Sequence, residues 1–409
     1  MSRTRMREQH ALEARSRSLL DSRELAPTRA FIVADDARTL RQQCELTQIP
    51  APPFREGPRA DRMAQLMADS GLDGAEKDGA GNVLGWWGAS RAAPVVVSAH
   101  LDTVFPEGTD VHVRKRGGRL VGPGISDDAR GLAALLGLAR ALSATGLELE
   151  RPVLFAATTG EEGEGDLRGA RHLFREGGPA REASAFLSLD GAGLGRVVTR
   201  GLGSRRFRLR VRGPGGHSWV DWGTPNPIHA LGRAVTSMTE LRLCERPRST
   251  LTVGRWSGGT SVNSIPQDAW VEVEIRSESR PELDRLEAEV RTRADEALHA
   301  VDRGAATGRR DLKLTVEVIG DRPVGRTDSD ALLVRAAVAA TRAVGAAPQL
   351  DVSSTDANIP MSLGIPAVTM GAGGVAGLAH TTEEWYRNER GPEGLLRALL
   401  TLMMVAKAN

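Results

Sequence analysis

A short run of valines followed by a histidine limits the possible folds of this chain more than any other stretch. Val95–Ser98 follows a proline, is too short for a helix and is rich in β-branched residues, so it predicts a fully buried strand. His100 and Asp102 come directly after it. Because sites in open α/β sheets form at the carboxyl ends of strands, His100 is a candidate metal ligand and Asp102 a candidate partner for its other ring nitrogen.

Other predicted strands also end in polar side chains. Pro152–Ala157 runs into Glu161 and Glu162, and Ala185–Leu189 ends at Asp190. Predicted helices, such as the one over Arg130–Leu142, alternate with these strands. This alternation predicts an α/β fold, a mostly parallel sheet with helices on both faces.

The pattern changes in the second half of the chain. A strand with alternating basic and apolar residues, Arg206–Arg212, is followed by a helix, two strands, a charged helix and a last strand, Lys313–Ile319. This is the order of a ferredoxin-like α+β unit. We therefore expect an inserted domain over residues 201–320, with the α/β domain formed by residues 1–200 and 321–409.

Composition excludes several classes of protein. The 54 basic and 52 acidic residues give a net charge of +2, so nothing favours nucleic acid or an anionic membrane as a partner. The arginine-rich N-terminus lacks the apolar core of a signal peptide, and Cys44 and Cys244 lack ligand-like spacing. We therefore expect a cytoplasmic protein with reduced thiols.

Histidines and acids collect at the predicted strand ends and in the loops that follow them. They are His100, Asp102, Asp127, Asp128, Glu161, Glu162, Asp190 and His380. Carboxylates gathered at one edge of a sheet repel one another unless cations lie among them. Two imidazoles with several carboxylates and no thiolate suit zinc, with cobalt or manganese as alternatives, and the number of acids suits two ions about 3.5–4 Å apart.

The order of these motifs resembles the dinuclear zinc peptidases and amidohydrolases that include peptidase T, acetylornithine deacetylase, succinyl-diaminopimelate desuccinylase and aminoacylase. The resemblance covers nearly the whole chain from about residue 92. Its landmarks occur in register: His-Leu-Asp at 100–102, Gly-Pro-Gly-Ile-Ser-Asp-Asp at 122–128, Gly-Glu-Glu at 160–162, Leu-Asp-Gly at 189–191, Gly-Gly-His-Ser at 215–218, Asn-Ser-Ile-Pro at 263–266 and Ala-His-Thr at 379–381.

The resemblance implies roles for the metal ligands and the general base. Asp127 would bridge the two metals, His100 and Asp190 would complete one site, and Glu162 and His380 the other. Glu161 would be the general base, and Asp102 would orient His100. The family also implies a cis peptide bond after Asp127.

The resemblance further implies that the insert is a lid and dimerisation domain. His217 would polarise the scissile carbonyl, from its own subunit or from the partner of a homodimer. Asn263 would contact substrate, and Arg276 would bind a substrate carboxylate. Two loops would also bind substrate, through Asp356, Asn358, Gly371 and Gly373.

One position departs from the family pattern. Ala129 stands in the segment Asp-Asp-Ala-Arg-Gly where the family often has a lysine. No metal ligand is lost by this change, but any role of that lysine has no counterpart here.

These observations predict a metal-dependent hydrolase that cleaves an amide bond of a small substrate, foremost a short peptide. An N-acyl-amino-acid deacylase with the same chemistry is an alternative. A protein of this fold that binds metal without catalysis, acting as an interaction module, is a second one, against which the complete ligand set and Glu161 argue. The side chains accepted and the end from which a peptide would be trimmed stay open.

Overall fold

The structure of the protein, a computed structural model, describes residues 3–306 and 311–406. The chain divides into two compact units. Unit 1 is formed by Met1–Gly201 together with Gly325–Asn409, and unit 2 by Leu202–Val324. Unit 2 extends past residue 320 because its last strand continues to Arg322.

The regular elements of the described chain are given in chain order. The helices are α1 (Arg3–Leu20), α2 (Ala26–Ala34), α3 (Asp36–Thr47), α4 (Gly57–Ala68), α5 (Ala129–Thr145), α6 (Arg168–Leu173), α7 (Pro227–Thr239), α8 (Arg280–Arg303), α9 (Leu332–Ala343), α10 (Asn358–Ser362) and α11 (Gly391–Val405). The strands are β1 (Asp73–Lys77), β2 (Val83–Trp87), β3 (Val95–His100), β4 (Arg114–Arg116), β5 (Arg119–Val121), β6 (Val153–Thr158), β7 (Ala185–Leu189), β8 (Arg196–Gly201), β9 (Gly203–Arg212), β10 (Gly216–His217), β11 (Ser249–Gly258), β12 (Ser264–Ile265), β13 (Asp268–Ser277), β14 (Lys313–Arg322), β15 (Gly325–Arg326), β16 (Gln349–Ser353), β17 (Ala367–Met370), β18 (Val375–Gly377) and β19 (Trp385–Arg387).

The main sheet of unit 1 has nine strands in the order β1-β2-β6-β3-β7-β17-β8-β15, with β16 beside β8. The four central strands β6, β3, β7 and β17 run parallel. Toward the edges the pairs are antiparallel, except for β16 with β8. The predicted α/β fold is confirmed, and its parallel pairing lies mainly in the centre, where the candidate ligands are.

Strand β3 shows why helices cover both faces of this sheet. Alternate side chains of a strand point to opposite faces. Val95 and Val97 belong to a core that includes helices α5, α9 and α11, whereas Val96 belongs to a second core that includes Leu173 of α6. All six residues of β3 are buried. A strand that is buried on both faces needs apolar residues at successive positions, and the valines of β3 meet this requirement.

The parallel centre of the sheet decides where the site lies. Because β3, β6, β7 and β17 point the same way, their last residues, His100, Thr158, Leu189 and Met370, meet at one edge of the sheet. The loops that follow carry the acids found in the sequence.

Two features of unit 1 are not visible in the periodicity of the sequence. The sequence has a continuous helical pattern over Ala30–Cys44, but the structure divides it between α2 and α3, which meet at Asp35. A separate sheet, β18-β19-β5-β4, pairs short strands far apart in sequence around the fully buried Tyr386. Its strands have three residues each, too few for a periodic pattern to reveal them.

Unit 2 has the predicted ferredoxin-like order. Strands β9, β11, β13 and β14 form one antiparallel sheet in the order β11-β13-β9-β14, and helices α7 and α8 pack against one face. The alternation of β9 follows from this packing. Phe207, Leu209 and Val211 face the helices, and the intervening arginines form ion pairs such as that of Arg208 with Glu272.

Among the helices that the structure describes, none is both long and apolar enough to cross a membrane.

Candidate metal centre and active site

The imidazole of His100 is buried at the end of β3, with 3% of its side chain exposed. Its Nδ1 lies 3.0 Å from the backbone carbonyl oxygen of Asp102, but 3.8 Å from that residue's carboxylate. Asp102 is thus the partner of the other ring nitrogen, through its backbone carbonyl oxygen rather than its carboxylate. When Nδ1–H donates to this carbonyl, the lone pair of Nε2 faces Asp127, whose Oδ1 lies 3.0 Å away.

The carboxylate of Asp102 holds the turn that carries the two glutamates. Its Oδ1 accepts the N–H of Glu161 at 2.9 Å, and its Oδ2 accepts the N–H of Glu162 at 2.7 Å. Complete burial raises the pKa of Asp102 to about 6. Asp102 therefore links the end of β3 to the turn after β6.

Asp127 and Asp128 are joined by a cis peptide bond, as the resemblance implies. The buried carboxylate of Asp128 accepts three backbone N–H groups: those of His100 at 3.0 Å, Gly131 at 2.9 Å and Gly191 at 3.1 Å. The bond to Gly131 caps helix α5. One side chain thus fixes the ends of β3 and β7 and the start of α5.

His380 completes a cluster around Asp127. Its Nε2 lies 3.1 Å from Asp127 Oδ2 and 3.1 Å from Glu162 Oε1. Candidate ligand atoms of His100, Asp127 and Glu162 all lie within 4.8 Å of one another. Asp127 is therefore shared between two imidazoles, as a bridging ligand would be.

Asp190 enters the same region from the end of β7. Its backbone N–H donates to the carbonyl oxygen of Met370, and its side chain lines one cleft with Asp127. Burial and the negative charge of Asp127 raise the pKa of Asp190 to about 6. The carboxyl of Asp190 can bind a metal ion well, because the cation offsets the negative charge of Asp127.

The chemistry of this cluster fits divalent metal ions. Burial opposes protonation of His100, yet its hydrogen bond with Asp127 holds its pKa well above the ordinary value. Hydrogen bonds with Asp127 and Glu162 likewise raise the pKa of His380 to about 10. The cluster thus attracts positive charge at the point where two imidazole nitrogens face carboxylate oxygens. Imidazole and carboxylate are the ligands of zinc, cobalt and manganese sites.

One carboxylate of the site was missed by the sequence analysis. Glu384 is fully buried and accepts the N–H groups of Gly124 at 2.9 Å, Ser126 at 2.8 Å and Asp127 at 2.9 Å. Burial and the charge of Asp127 raise the pKa of Glu384 to about 7. The tandem glutamates shortly after His380, similar to those at 161 and 162, were the available signal.

Replacing Glu384 with alanine is expected to lower the free energy of unfolding by about 3 kcal/mol or more, since each orphaned buried N–H costs about 1–3 kcal/mol. Urea unfolding followed by circular dichroism measures the change. Glu383→Ala is the matched control. Glu383 is 54% exposed, and within the described part of the chain its carboxylate makes only surface ion pairs, so its loss should change stability by less than about 1 kcal/mol. Equal effects of the two substitutions would contradict the role given to Glu384.

The sequence model of the Peptidase family M20/M25/M40 matches residues 96–404 of the 409-residue chain. The chain belongs to this family. Members of the M20/M25/M40 family are metallopeptidases or amidohydrolases, so the protein is a hydrolase. The cluster around Asp127 lies inside the matched range.

Relatives of the M20/M25/M40 chain match it over most of their length. The Bacillus subtilis protein YqjE is 26% identical over 360 residues, which cover 83% of this chain and 91% of YqjE. A Mycobacterium tuberculosis protein that bears the name succinyl-diaminopimelate desuccinylase DapE is 28% identical over 377 residues, 88% of this chain and 94% of its own. The crystal structure of aminopeptidase PepT from Bacillus cereus superposes with a TM-score of 0.71 at 23% identity, over 91% of this chain and 99% of PepT.

The glycine-rich loop of this M20/M25/M40 chain does not leave all of its N–H groups for a substrate. Those of Ala372 and Gly373 donate to the carbonyl oxygens of Gly191 and Gly193. A Cβ on Gly371 would lie 2.2 Å from the carbonyl oxygen of Ala192. Gly371 and Gly373 therefore serve close packing of two backbone segments, and their role in substrate binding stays a prediction.

Asp356 and Asn358 lie inside unit 1, with 2% and 0% of their surface exposed. The side chain of Asn358 accepts the backbone N–H of Thr355, and Asp356 accepts the hydroxyl of Thr158 at 2.5 Å. Both side chains stabilise the turn after β16 and the end of β6. Their placement favours turn chemistry over the predicted substrate contact.

His217 and Asn263 lie on adjacent segments of unit 2. β10 pairs His217 with Ser264, and the N–H of Ser218 donates to the carbonyl oxygen of Asn263. The Nδ1 of His217 accepts backbone N–H groups from Trp219 at 3.2 Å and from the next residue at 3.4 Å. These bonds assign the ring proton to Nε2 in the neutral imidazole.

Arg276 is occupied by a carboxylate of its own unit. Its Nε and one terminal nitrogen donate to the two oxygens of Glu274 at 2.7 and 2.9 Å. Glu274 also accepts from Arg206 on the neighbouring strand. The structure thus places Arg276 in a ladder of ion pairs on a central strand of unit 2, and a substrate carboxylate would have to compete with Glu274.

Proposed function

We propose that this protein is a dinuclear zinc-dependent peptidase that hydrolyses an amide bond of a short peptide, with Glu161 as general base. The observation that carries the proposal is the separation of the two neighbouring glutamates. Asp102 holds the N–H groups of both, and Glu162 reaches the cluster of Asp127 and His380. Glu161 is 94% buried, and its negative charge acts on His100, which supports its role as the proton acceptor.

Each residue of the cluster has a distinct role in this proposal. His100 and Asp190 would hold one ion, Glu162 and His380 would hold the other, and Asp127 would contribute to both sites. When bound, the ions polarise the substrate carbonyl and make water acidic near neutral pH. Glu161 then accepts a proton from the attacking water and passes it to the leaving amine.

Unit 2 supplies a candidate donor for the developing negative charge on the carbonyl oxygen. The Nδ1 of His217 accepts two backbone N–H groups, which leaves the N–H of its Nε2 to donate to the carbonyl oxygen. A donor fixed in this way stabilises an oxyanion without reorganising during the reaction.

The relatives support two substrate classes with one chemistry. The name of PepT describes an aminopeptidase, which favours peptides. The DapE relative, which matches 88% of this chain, bears the name of an enzyme that removes a succinyl group, which favours N-acyl amino acids as the second candidate class.

The test measures metal content by mass spectrometry and follows hydrolysis of Ala-Leu, Ala-Ala-Leu and N-acetyl-leucine before and after chelation. We expect two metal ions per chain, and peptide cleavage that chelation abolishes and zinc restores. Cleavage of N-acetyl-leucine alone would select the second candidate. Absence of metal after incubation with zinc, cobalt or manganese would overturn both.

Self-association through unit 2 is part of the same proposal. β11 is an edge strand of its sheet, and the turn after His217 carries two tryptophans, Trp219 and Trp222, that are 86% and 78% exposed. Exposed apolar surface of this kind favours a protein interface. Sedimentation should give twice the chain mass of 43.7 kDa, and a species of single chain mass at assay concentration would refute a homodimer.

A further inference from the structure

A bidentate ion pair lies next to the turn that carries Glu161 and Glu162. The two terminal nitrogens of Arg168 donate to the two carboxylate oxygens of Glu56, each at 2.7 Å. The side chain of Glu56 is 3% exposed and that of Arg168 is 26% exposed. Two parallel hydrogen bonds between a guanidinium and a carboxylate fix the geometry of both groups. The pair therefore makes a rigid connection between residues that are 112 positions apart in the chain.

Arg168 packs on the backbone that leads into the two glutamates. It is the first residue of helix α6, and its side chain crosses Gly160, the residue before Glu161. A Cβ built on Gly160 would lie 2.2 Å from Nη1 of Arg168 and 2.8 Å from its Cγ. Gly160 also has a φ of +65°, so glycine suits this position for two reasons. The position of the guanidinium thus limits the position of Gly160.

The rest of the turn depends on Gly160 as well. A Cβ on Gly165 would lie 2.4 Å from the Cα of Gly160, so the two backbones are in close contact. The N–H of Gly165 donates to the carbonyl oxygen of Glu162 at 2.8 Å. A displacement of Arg168 would therefore reach both glutamates through the backbone. A shift of about 1 Å at a reacting group can lower a rate by about 10²-fold.

Glu56 lies at the end of a loop that is anchored to the segment after β3. It directly precedes helix α4. Earlier in the loop, the carbonyl oxygen of Ala51 accepts the N–H of Thr103 at 2.9 Å. The buried Arg59, early in α4, donates to the carbonyl oxygen of Leu101 at 2.8 Å. The carboxylate of Glu56 is therefore held in a fixed place relative to the end of β3.

Residues with a left-handed backbone flank both partners of the pair. Asp166 (φ 50°) and Leu167 (φ 60°) come directly before Arg168, and Phe54 (φ 70°) comes two positions before Glu56. The guanidinium carbon of Arg168 also lies 5.0 Å from the centroid of the Phe54 ring. Side chains other than glycine adopt a positive φ at a cost in free energy, and such residues cluster at functional sites. The ion pair thus joins two strained segments beside the candidate general base.

We infer that Glu56 and Arg168 are positioning residues that hold the turn of Glu161 and Glu162 in the geometry that catalysis requires. The inference rests on the proposed function, because it assigns support to the general base and to one metal ligand of that site. Breaking the pair should lower kcat and weaken the binding of one metal ion. A pair that serves folding alone would change the stability of the protein and neither of these quantities.

The test compares the wild type with Arg168→Met and Glu56→Gln, which keep the length of each side chain but break the bidentate pair. The substrate is the one of Ala-Leu, Ala-Ala-Leu and N-acetyl-leucine that the wild type cleaves fastest. At saturating zinc we expect kcat to fall about 10- to 100-fold in both variants, with KM changed by less than about three-fold. Calorimetric titration of the metal-free proteins with zinc should show one of the two ions bound about 10- to 100-fold more weakly, because Glu162 would hold only one of them.

Arg140→Met is the control that separates positioning from stability. The side chain of Arg140 is 3% exposed and forms an ion pair with Asp35, at the start of α3. Because this substitution also breaks a buried ion pair, it should lower the unfolding temperature at least as much as Arg168→Met. Its kcat and both of its zinc affinities should stay within about two-fold of the wild type. Equal losses of kcat in Arg140→Met and Arg168→Met would overturn the inference, since they would follow from stability alone.

The zinc titration separates this inference from the proposed function. A zinc site that is weakened in both Arg168→Met and Glu56→Gln, without hydrolysis by the wild type, would refute the proposed function alone. Hydrolysis by the wild type, with kcat and zinc affinity unchanged in the two variants, would refute the positioning role alone.

Discussion

Replacing Glu161 with glutamine lowers kcat by about 10²- to 10⁴-fold, the contribution expected of a positioned general base. The amide keeps the size of the side chain, and the backbone N–H still donates to Asp102. The metal content and the KM for peptides should therefore change little. Steady-state kinetics together with metal analysis measures the effect.

Glu164→Gln is the control for this substitution. Glu164 is an exposed residue of the same turn, so the substitution removes its charge without affecting the metal cluster. Activity should therefore stay within about two-fold of the wild type, as for most surface changes. Full activity of the Glu161→Gln protein would show that another group takes the proton. A loss of bound metal in that protein would instead make Glu161 a ligand.

Replacing Asp127 with asparagine removes the charge that both imidazoles face. Asp127 lies 3.0 Å from His100 and 3.1 Å from His380, so both metal positions should weaken together. Bound metal ions stabilise the charge of the transition state by several kcal/mol. Losing this stabilisation corresponds to a fall in kcat/KM on the order of 10³-fold or more. Metal titration should show fewer than two ions bound per chain at concentrations that saturate the wild type.

A comparison of Asp127 with the neighbouring Asp128 distinguishes a metal ligand from a structural carboxylate. Asp128 accepts three backbone N–H groups and should tolerate asparagine poorly for reasons of folding. Its substitution should lower the unfolding temperature of the protein even when metal is absent. The Asp127→Asn protein should unfold like the wild type under that condition, and a reversal of this order would contradict the two assignments.

The elements of the site that follow long buried strands could be predicted from the sequence. His100 and Asp190 end apolar runs whose length and composition leave little choice other than a parallel strand. Their convergence then follows from the parallel pairing of β3 and β7. Strand identity and direction were enough to place these residues at one edge of the sheet.

The contacts that depend on loop backbones could not be predicted. Whether Asp102 orients His100 by its carboxylate or by its carbonyl depends on the path of two residues, and the carboxylate turned to the N–H groups of Glu161 and Glu162. Glu384 was missed because its partners are backbone N–H groups more than 250 positions away, which no side-chain pattern marks. The complete burial of Asn358 could not be predicted for a related reason, since a sequence motif does not show which side chains are buried.

The three hydrogen bonds of the Asp128 carboxylate limit where an enzyme with this site can change its substrate preference. The side chain joins the ends of two strands and the start of a helix, so a shift of any one of them disturbs all three. Leu194, Val375 and Leu378 make none of these three bonds and line the cleft that contains Asp127 and Asp190. Laboratory evolution toward new substrates should therefore accumulate changes at these three wall positions while the segment 126–131 stays fixed.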